Sequence, residues 1–285
     1  MTRQEKKAIQ AGTGPILVNG KTPCSQDYVT YHRRRVALSV QKLRELGARK
    51  IVELGAHPWV MTAELIDEPA FKLCATVSAE EVTRWPDDIG VSVQRYHIRT
   101  SRGQEADVTN YSANLERTLF DIEGSPDTVI ACEIVEHLTR SPHVMFLNIN
   151  RWLPVLGKLL VTTPNGAQFA NPFRRRSPTP AYRCNVYERH SYVYTLDDLT
   201  ELIALCGFKI LEAGYWNVYE RRGPSSIYGW LSHLPVKYCR DKFMKTIYVV
   251  AEKEKDAASL PRCPRVYDSR GNWEFIAQGN SDGPR

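Results

Sequence analysis

The sequence predicts an α/β fold, a mostly parallel seven-stranded sheet with helices on both faces and an antiparallel hairpin at one edge. Two observations predict this class. Short apolar runs that stop at glycine or at polar residues alternate with stretches whose apolar residues recur at helical spacing. The last two apolar runs, 208–216 and 245–253, are joined without a long helical pattern, which indicates neighbouring antiparallel strands.

The first predicted helix covers residues 28–46, where Val36, Val40 and Leu43 recur at helical spacing and Gly47 supplies a stop. Further helices are predicted for the segment that reaches Leu65 and Ile66, for 142–153 and for 196–208. The last of these has aspartates in its first turn, which suits the helix dipole, and a glycine at its end.

Each predicted strand is a short run rich in valine, isoleucine, leucine or aromatic residues. The runs are 50–56, 71–77, 91–98, 127–135, 158–165, 208–216 and 245–253. The fourth run is expected to pass from strand into helix. Ligands of such sheets bind at the carboxyl ends of the strands, so the chemistry is expected just after these runs.

Three regions are expected along the chain. Residues 1–47 are predicted to be an N-terminal arm and lid helix, and residues 48–254 the main α/β domain. An insertion is expected in that domain near residues 166–194. Residues 255–285 are polar and rich in proline and glycine, and are predicted to form a C-terminal tail.

The composition narrows the class of protein. Hydrophobic residues make up 42% and charged residues 25%, which is ordinary for a globular protein. No run approaches the roughly 18 apolar residues of a membrane span, and the charged start MTRQEKKAIQ is unlike a secretory signal, so a cytoplasmic location is expected. The net charge of +6 suits a phosphate-bearing substrate or RNA but does not decide between partners.

Four segments, in this order, resemble the motifs of class I S-adenosylmethionine-dependent methyltransferases. ELGAHP at 53–58 resembles the first motif, and EIVEHL at 133–138, VTTPN at 161–165 and RHSYVYT at 189–195 resemble later ones. The resemblance covers about residues 48–253. It implies a Rossmann-like fold and S-adenosylmethionine as the cofactor.

The resemblance also implies which residues contact the cofactor. They are Glu53, Gly55, Ala56, Pro58, Glu80, Asn114, Leu115 and Glu133. Glu53 would lie beneath the glycine turn, and Glu80 or Glu81 would accept hydrogen bonds from the ribose. Asn114 would bond the adenine amino group and Leu115 would pack against the ring. His57 and Trp59 stand where the family often has glycine.

Glu133, Glu136 and His137 are spaced so that they would share one face of a helix. With His190 they resemble the metal ligands of small-RNA 3′-terminal 2′-O-methyltransferases, and the ExxEH part also occurs in ubiquinone-pathway O-methyltransferases. Such a set suits Mg²⁺ or Mn²⁺. In the alternative, the histidines act without metal and Glu133 lines the cofactor pocket. His137, His190 and Glu133 are the predicted catalytic residues, with His137 as the general base.

The function predicted is methylation of a hydroxyl of a sugar, glycolipid or natural-product precursor, so the partner would be a small-molecule or glycan acceptor. A metal-dependent RNA 2′-O-methyltransferase is the first alternative. A non-catalytic binding protein that keeps the fold is the second, because Trp59 and the lack of an aspartate after 71–77 depart from the family. The later motifs do not fit an NAD-dependent oxidoreductase.

Overall fold

The computed structural model describes residues 15–79, 90–138, 142–167, 193–216, 218, 244–257, 266–267 and 273–274. The chain divides into two compact units. The first comprises the described residues of Met1–Asn114 with Ile122–Ala131. The second comprises Leu115–Asp121 with the described residues of Cys132–Arg285.

The described part of the chain forms four α-helices, all where the sequence predicts them. They are α1 (Gln26–Glu45), α2 (Val60–Ile66), α3 (Pro142–Trp152) and α4 (Leu196–Leu205). Ser25 caps α1 by accepting a hydrogen bond from the Tyr28 N–H, and Thr195 and Asp198 cap α4 reciprocally. Within these residues, none of the helices combines the length and apolar character that crossing a membrane requires.

Six strands belong to the first unit. They are β1 (Leu17–Val18), β2 (Lys50–Leu54), β3 (Lys72–Ala79), β4 (Ser92–Arg99), β5 (Glu105–Ala113) and β6 (Thr128–Cys132). Their order is β1-β4-β5-β3-β2-β6. The pairs β2–β3, β2–β6 and β3–β5 are parallel, whereas β1–β4 and β4–β5 are antiparallel. The parallel strands β2, β3, β5 and β6 therefore end at a common carboxyl edge.

Three strands of the second unit, β7 (Lys158–Pro164), β8 (Phe208–Trp216) and β9 (Thr246–Lys253), lie in the order β7-β9-β8. Both of these pairings are antiparallel, so the antiparallel pair predicted for the last two strands is confirmed. A short separate pairing joins β10 (Val266–Tyr267) to β11 (Trp273–Glu274).

The predicted strand count of seven is wrong, because nine strands take part in these two sets. The prediction of a mostly parallel sheet is only partly right. The strand predicted at 91–98 exists as β4, but it runs antiparallel outside β5, and neither β5 nor β1 was predicted from the sequence. Residues Glu105, Asp107, Thr109 and Ser112 break up the apolar run of β5, so its pattern does not indicate a strand. Pairing with β3 on one side and β4 on the other stabilises it.

Candidate active site

The glycine turn lies directly after β2 in the first unit. Gly55 has φ +75°, in the left-handed region that glycine adopts without steric cost. Its N–H donates to the Val77 carbonyl of β3 over 2.8 Å, which keeps the turn beside the neighbouring parallel strand. Ala56 is buried and Pro58 half-buried after a cis His57–Pro58 peptide bond. The chain therefore presents backbone, with few side-chain atoms, at the end of β2.

Trp59 stands where the resembled family often has glycine, and the structure shows where its side chain lies. Its backbone keeps a left-handed φ of +69°, and its N–H donates to the Ala56 carbonyl. Its ring packs in an apolar cluster with Ala56, Ile98 and Val108, and its centroid lies 4.8 Å from that of Tyr96. The side chain of Trp59 is thus buried in the core of the first unit, and its backbone adopts the left-handed conformation that glycine favours.

Glu53, near the end of β2, is only 3% exposed. Its Oε2 accepts a hydrogen bond of 2.6 Å from Thr62 Oγ1 on α2. Burial raises the pKa of Glu53 to about 8, and the bond from Thr62 offsets part of that rise. The carboxyl group therefore holds a proton at neutral pH and ties α2 to β2.

This raised pKa makes stability depend on pH. Between the ordinary value of 4.5 and about 8, native Glu53 binds a proton that the unfolded chain has released. The contribution of protonated Glu53 to the free energy of unfolding is complete below pH 4.5. It is lost as the pH rises towards 8, at up to about 1.4 kcal/mol per pH unit. The variant Glu53→Gln keeps the size and shape of the side chain but has no group that ionises in this range.

Denaturant unfolding of both proteins from pH 5 to pH 8 measures the effect. The stability of the Glu53→Gln variant relative to the wild type is expected to rise steadily from pH 5 to pH 8. A stability difference that stays constant across this range would show that Glu53 is charged in the native state.

A buried asparagine on β5 organises the tip of β3. The Oδ1 of Asn110, which is 3% exposed, accepts hydrogen bonds from Thr76 Oγ1 at 2.9 Å and Ser78 Oγ at 3.0 Å. The sequence offered no signal for Asn110 because β5 itself was not predicted. Glu80 and Glu81, the predicted ribose ligands, lie outside the described residues.

Asn114 and Leu115 follow β5 directly, at the common carboxyl edge of the parallel strands. Asn114 is half-buried and Leu115 is 1% exposed. The placement of Asn114 agrees with the position that the resemblance implies for an adenine contact, and its role as an adenine ligand stays a prediction.

Glu133 occupies a turn and not the first position of a helix. It has φ +54° just after β6, and its N–H donates to the Thr162 carbonyl over 2.8 Å. Its Oε1 accepts a hydrogen bond of 3.2 Å from Thr162 Oγ1. Only Val135–His137 forms a helical turn, of the tighter 3₁₀ kind.

The helix predicted to carry Glu133 and Glu136 on one face does not form, because Glu133 lies outside the short turn. Glu136 is fully buried and its Oε2 accepts a 2.8 Å hydrogen bond from Thr163 Oγ1. Thr162 and Thr163 are consecutive residues of β7, and consecutive side chains of a strand point to opposite faces. Each of the two carboxyl groups is thus bonded to a different threonine of β7. The VTTPN motif contains both threonines, so the sequence held this signal.

The described residues give no support to the predicted Mg²⁺ or Mn²⁺ site. Across the part of the chain that the structure describes, no three His, Cys, Asp or Glu residues are grouped so that they could hold a metal ion. His190, the fourth predicted ligand, lies outside the described residues, so the full ligand set stays a prediction.

His137 keeps the position expected of an accessible base. Its side chain is 43% exposed, and its Nε2 lies 4.0 Å from Oε1 of Glu136, whose side chain is 1% exposed. Thr163 orients that carboxylate through the bond to its other oxygen. The arrangement places an exposed imidazole next to a buried carboxyl group.

No protein-family model matches the sequence, and no curated protein matches it. A chain of the Haloferax volcanii complex that contains the Trm112 methyltransferase activator has a TM-score of 0.50 to this protein at 12% identity, over 81% of this chain and 95% of that one. The methyltransferase domain of bacterial CtHen1 has a TM-score of 0.45 at 13% identity, over 78% of this chain and 99% of that one.

N-methyltransferase NodS from Bradyrhizobium japonicum WM9, in complex with S-adenosyl-L-homocysteine, has a TM-score of 0.45 at 11% identity, over 79% of this chain and 88% of that chain. The conclusion on fold rests on the Haloferax volcanii chain. This protein shares the α/β fold of that chain, which comes from a complex of the Trm112 methyltransferase activator and a putative methyltransferase. At 12% identity the similarity shows the fold alone.

Proposed function

We propose that this protein is an S-adenosylmethionine-dependent methyltransferase. The observation that carries the proposal is the turn at Gly55. A buried parallel strand ends in a left-handed glycine that is hydrogen-bonded to the next strand, at the edge where four parallel strands end. Ligands of open α/β sheets bind at this edge, and backbone without a Cβ permits close approach.

The residues at this edge suit the parts of S-adenosylmethionine. Backbone at Gly55 and Ala56 would approach the methionine end, and Asn114 offers amide hydrogen-bonding groups for adenine. When bound, the cofactor supplies a methyl group on a sulfonium for in-line displacement.

We propose a hydroxyl as the acceptor. The imidazole of His137, which is exposed beside the buried carboxyl group of Glu136, would accept the proton of that hydroxyl. The resemblance of segments 133–138 and 161–165 to O-methyltransferase motifs supports a sugar, glycolipid or natural-product acceptor. The predicted acceptor insertion near 166–194 lies mostly outside the described residues.

Calorimetric titration with S-adenosylmethionine and S-adenosylhomocysteine in EDTA tests the cofactor directly. We expect micromolar dissociation constants for both ligands, and no change when Mn²⁺ replaces EDTA. Absence of binding under both conditions would overturn the proposal and favour a non-catalytic protein that keeps the fold.

His137→Asn tests the proposed base. We expect a fall in kcat of about a hundredfold or more, the usual range for loss of a general base, with unchanged affinity for S-adenosylmethionine. Transfer of a tritiated methyl group to a panel of sugars, glycolipids, phenols and RNA provides the assay. His97→Asn is the control, because His97 is an exposed residue of β4. Equal kcat in both variants would remove His137 from the mechanism, and labelling of RNA alone would support the RNA alternative.

A further inference from the structure

The segment Leu115–Asp121, which follows β5, is held by α3. It groups with the second unit, although β5 belongs to the first. The Oδ1 of Asn148 on α3 accepts a hydrogen bond of 3.0 Å from the Phe120 N–H, and its Nδ2 donates to the Thr118 carbonyl over 2.7 Å. The side chain thus completes the backbone hydrogen bonds of two residues in an irregular segment.

Asn148 is well placed for this task because it is 0% exposed. A buried amide must satisfy both its donor and its acceptor, and losing either partner leaves a polar group desolvated. Both of its hydrogen bonds fix the same three residues, Thr118 to Phe120. The conformation of the segment is therefore tied to the position of one side chain on α3.

Two further residues of α3 hold the same segment. Trp152 Nε1 donates to the Phe120 carbonyl over 2.8 Å, and the two rings meet nearly edge-on with centroids 5.1 Å apart. Arg151 and Asp121 form an ion pair, with side chains 52% and 72% exposed. An exposed pair of this kind adds little, so Asn148 and Trp152 provide most of the anchoring.

We infer that Asn148 is a positioning residue for the adenine of the cofactor. This inference rests on the proposed function, in which Asn114 contacts the adenine. The anchored segment begins with Leu115, the next residue in the chain. By holding Thr118 to Phe120, Asn148 orders the segment before the ligand arrives, so that binding does not have to order it.

The chain offers a matched control on the same helix. Asn150 is 2% exposed, and its Nδ2 donates to the carbonyls of Cys206 at 3.0 Å and Lys255 at 2.9 Å. Its Oδ1 accepts from the Ala257 N–H at 3.1 Å. Asn150 therefore anchors other parts of the second unit with hydrogen bonds of the same kind, and none of these bonds reaches the segment Leu115–Asp121.

The experiment compares Asn148→Ala with Asn150→Ala. Denaturant unfolding reports the stability of each variant, and calorimetry with S-adenosylhomocysteine reports its affinity. Both variants are expected to be less stable than the wild type. Only Asn148→Ala is expected to bind the ligand about tenfold more weakly, because binding must then also order the released segment, which costs conformational entropy.

Trp152→Phe is a second variant in case Asn148→Ala does not fold. It keeps the ring against Phe120 and removes the Nε1–H donor, and a smaller loss of affinity is expected. Equal affinity of the wild type and the folded variants overturns the inference while the proposed function stands. A wild-type protein that does not bind S-adenosylhomocysteine overturns the proposed function, and the inference with it.

Discussion

Replacing Gly55 by valine is expected to weaken the binding of S-adenosylmethionine by about a hundredfold or more. Gly55 holds a φ of +75°, which a β-branched residue adopts only with strain. Valine would also place a side chain in the turn that the cofactor must approach, so strain and steric exclusion act together. Calorimetry of the variant against S-adenosylmethionine measures the loss.

Gly103 provides the control for this variant. It has a φ of +82°, and a Cβ built there meets no heavy atom within 4 Å. It lies in the turn between β4 and β5, where Thr100 and Gln104 are hydrogen-bonded. Gly103→Val is therefore expected to carry similar backbone strain with unchanged affinity. Normal binding by a folded Gly55→Val protein would show that the cofactor does not approach this turn.

Replacing Lys253 by methionine is expected to lower the free energy of unfolding by about 3 kcal/mol. The side chain of Lys253 is 5% exposed, and its Nζ donates to the carbonyls of Asn150 at 2.7 Å and Leu153 at 2.8 Å. These carbonyls lie at the carboxyl end of α3, where the helix leaves acceptors without partners and favours a cation. Methionine fills the same space but has no N–H group, so the two buried carbonyls lose their hydrogen-bond donor.

Denaturant unfolding of Lys253→Met tests this directly. Lys209→Met on β8 is the matched control because Lys209 is exposed, and a change within about 0.5 kcal/mol is expected. Asp256 pairs with Lys253 at 2.6 Å but is 84% exposed, so Asp256→Asn should cost less than about 1 kcal/mol. Wild-type stability of Lys253→Met would mean that other donors satisfy the end of α3.

The local pattern of apolar and polar residues predicted most of the helices and strands. The strand predicted at 208–216 has these bounds in β8, and that predicted at 158–165 is one residue longer than β7. These runs are apolar enough to be recognised without knowing their neighbours. Strand β5 was missed because it contains no continuous apolar run: polar residues such as Asp107 and Thr109 separate its apolar ones.

The candidate active site was also predicted only in part, because local sequence indicates some of its features and contacts distant in sequence decide the others. The glycine turn follows from residue type, since Gly55 comes directly after an apolar run. The placement of the carboxylates did not follow from spacing. Glu133 adopts φ +54°, which breaks the helical register that its spacing to Glu136 suggests. Hydrogen bonds to Thr162 and Thr163, distant in sequence, decide where the two carboxylates lie.

The sequence by itself determined the α/β class, the helices and most of the strands, because burial periodicity and glycine stops are properties of short segments. It also indicated the turn at Gly55. Only the tertiary structure decided that β4 runs antiparallel outside β5, that Trp59 packs into the core, and that Asn148 anchors the segment after β5. These features depend on contacts between residues far apart in the chain, which local periodicity does not encode.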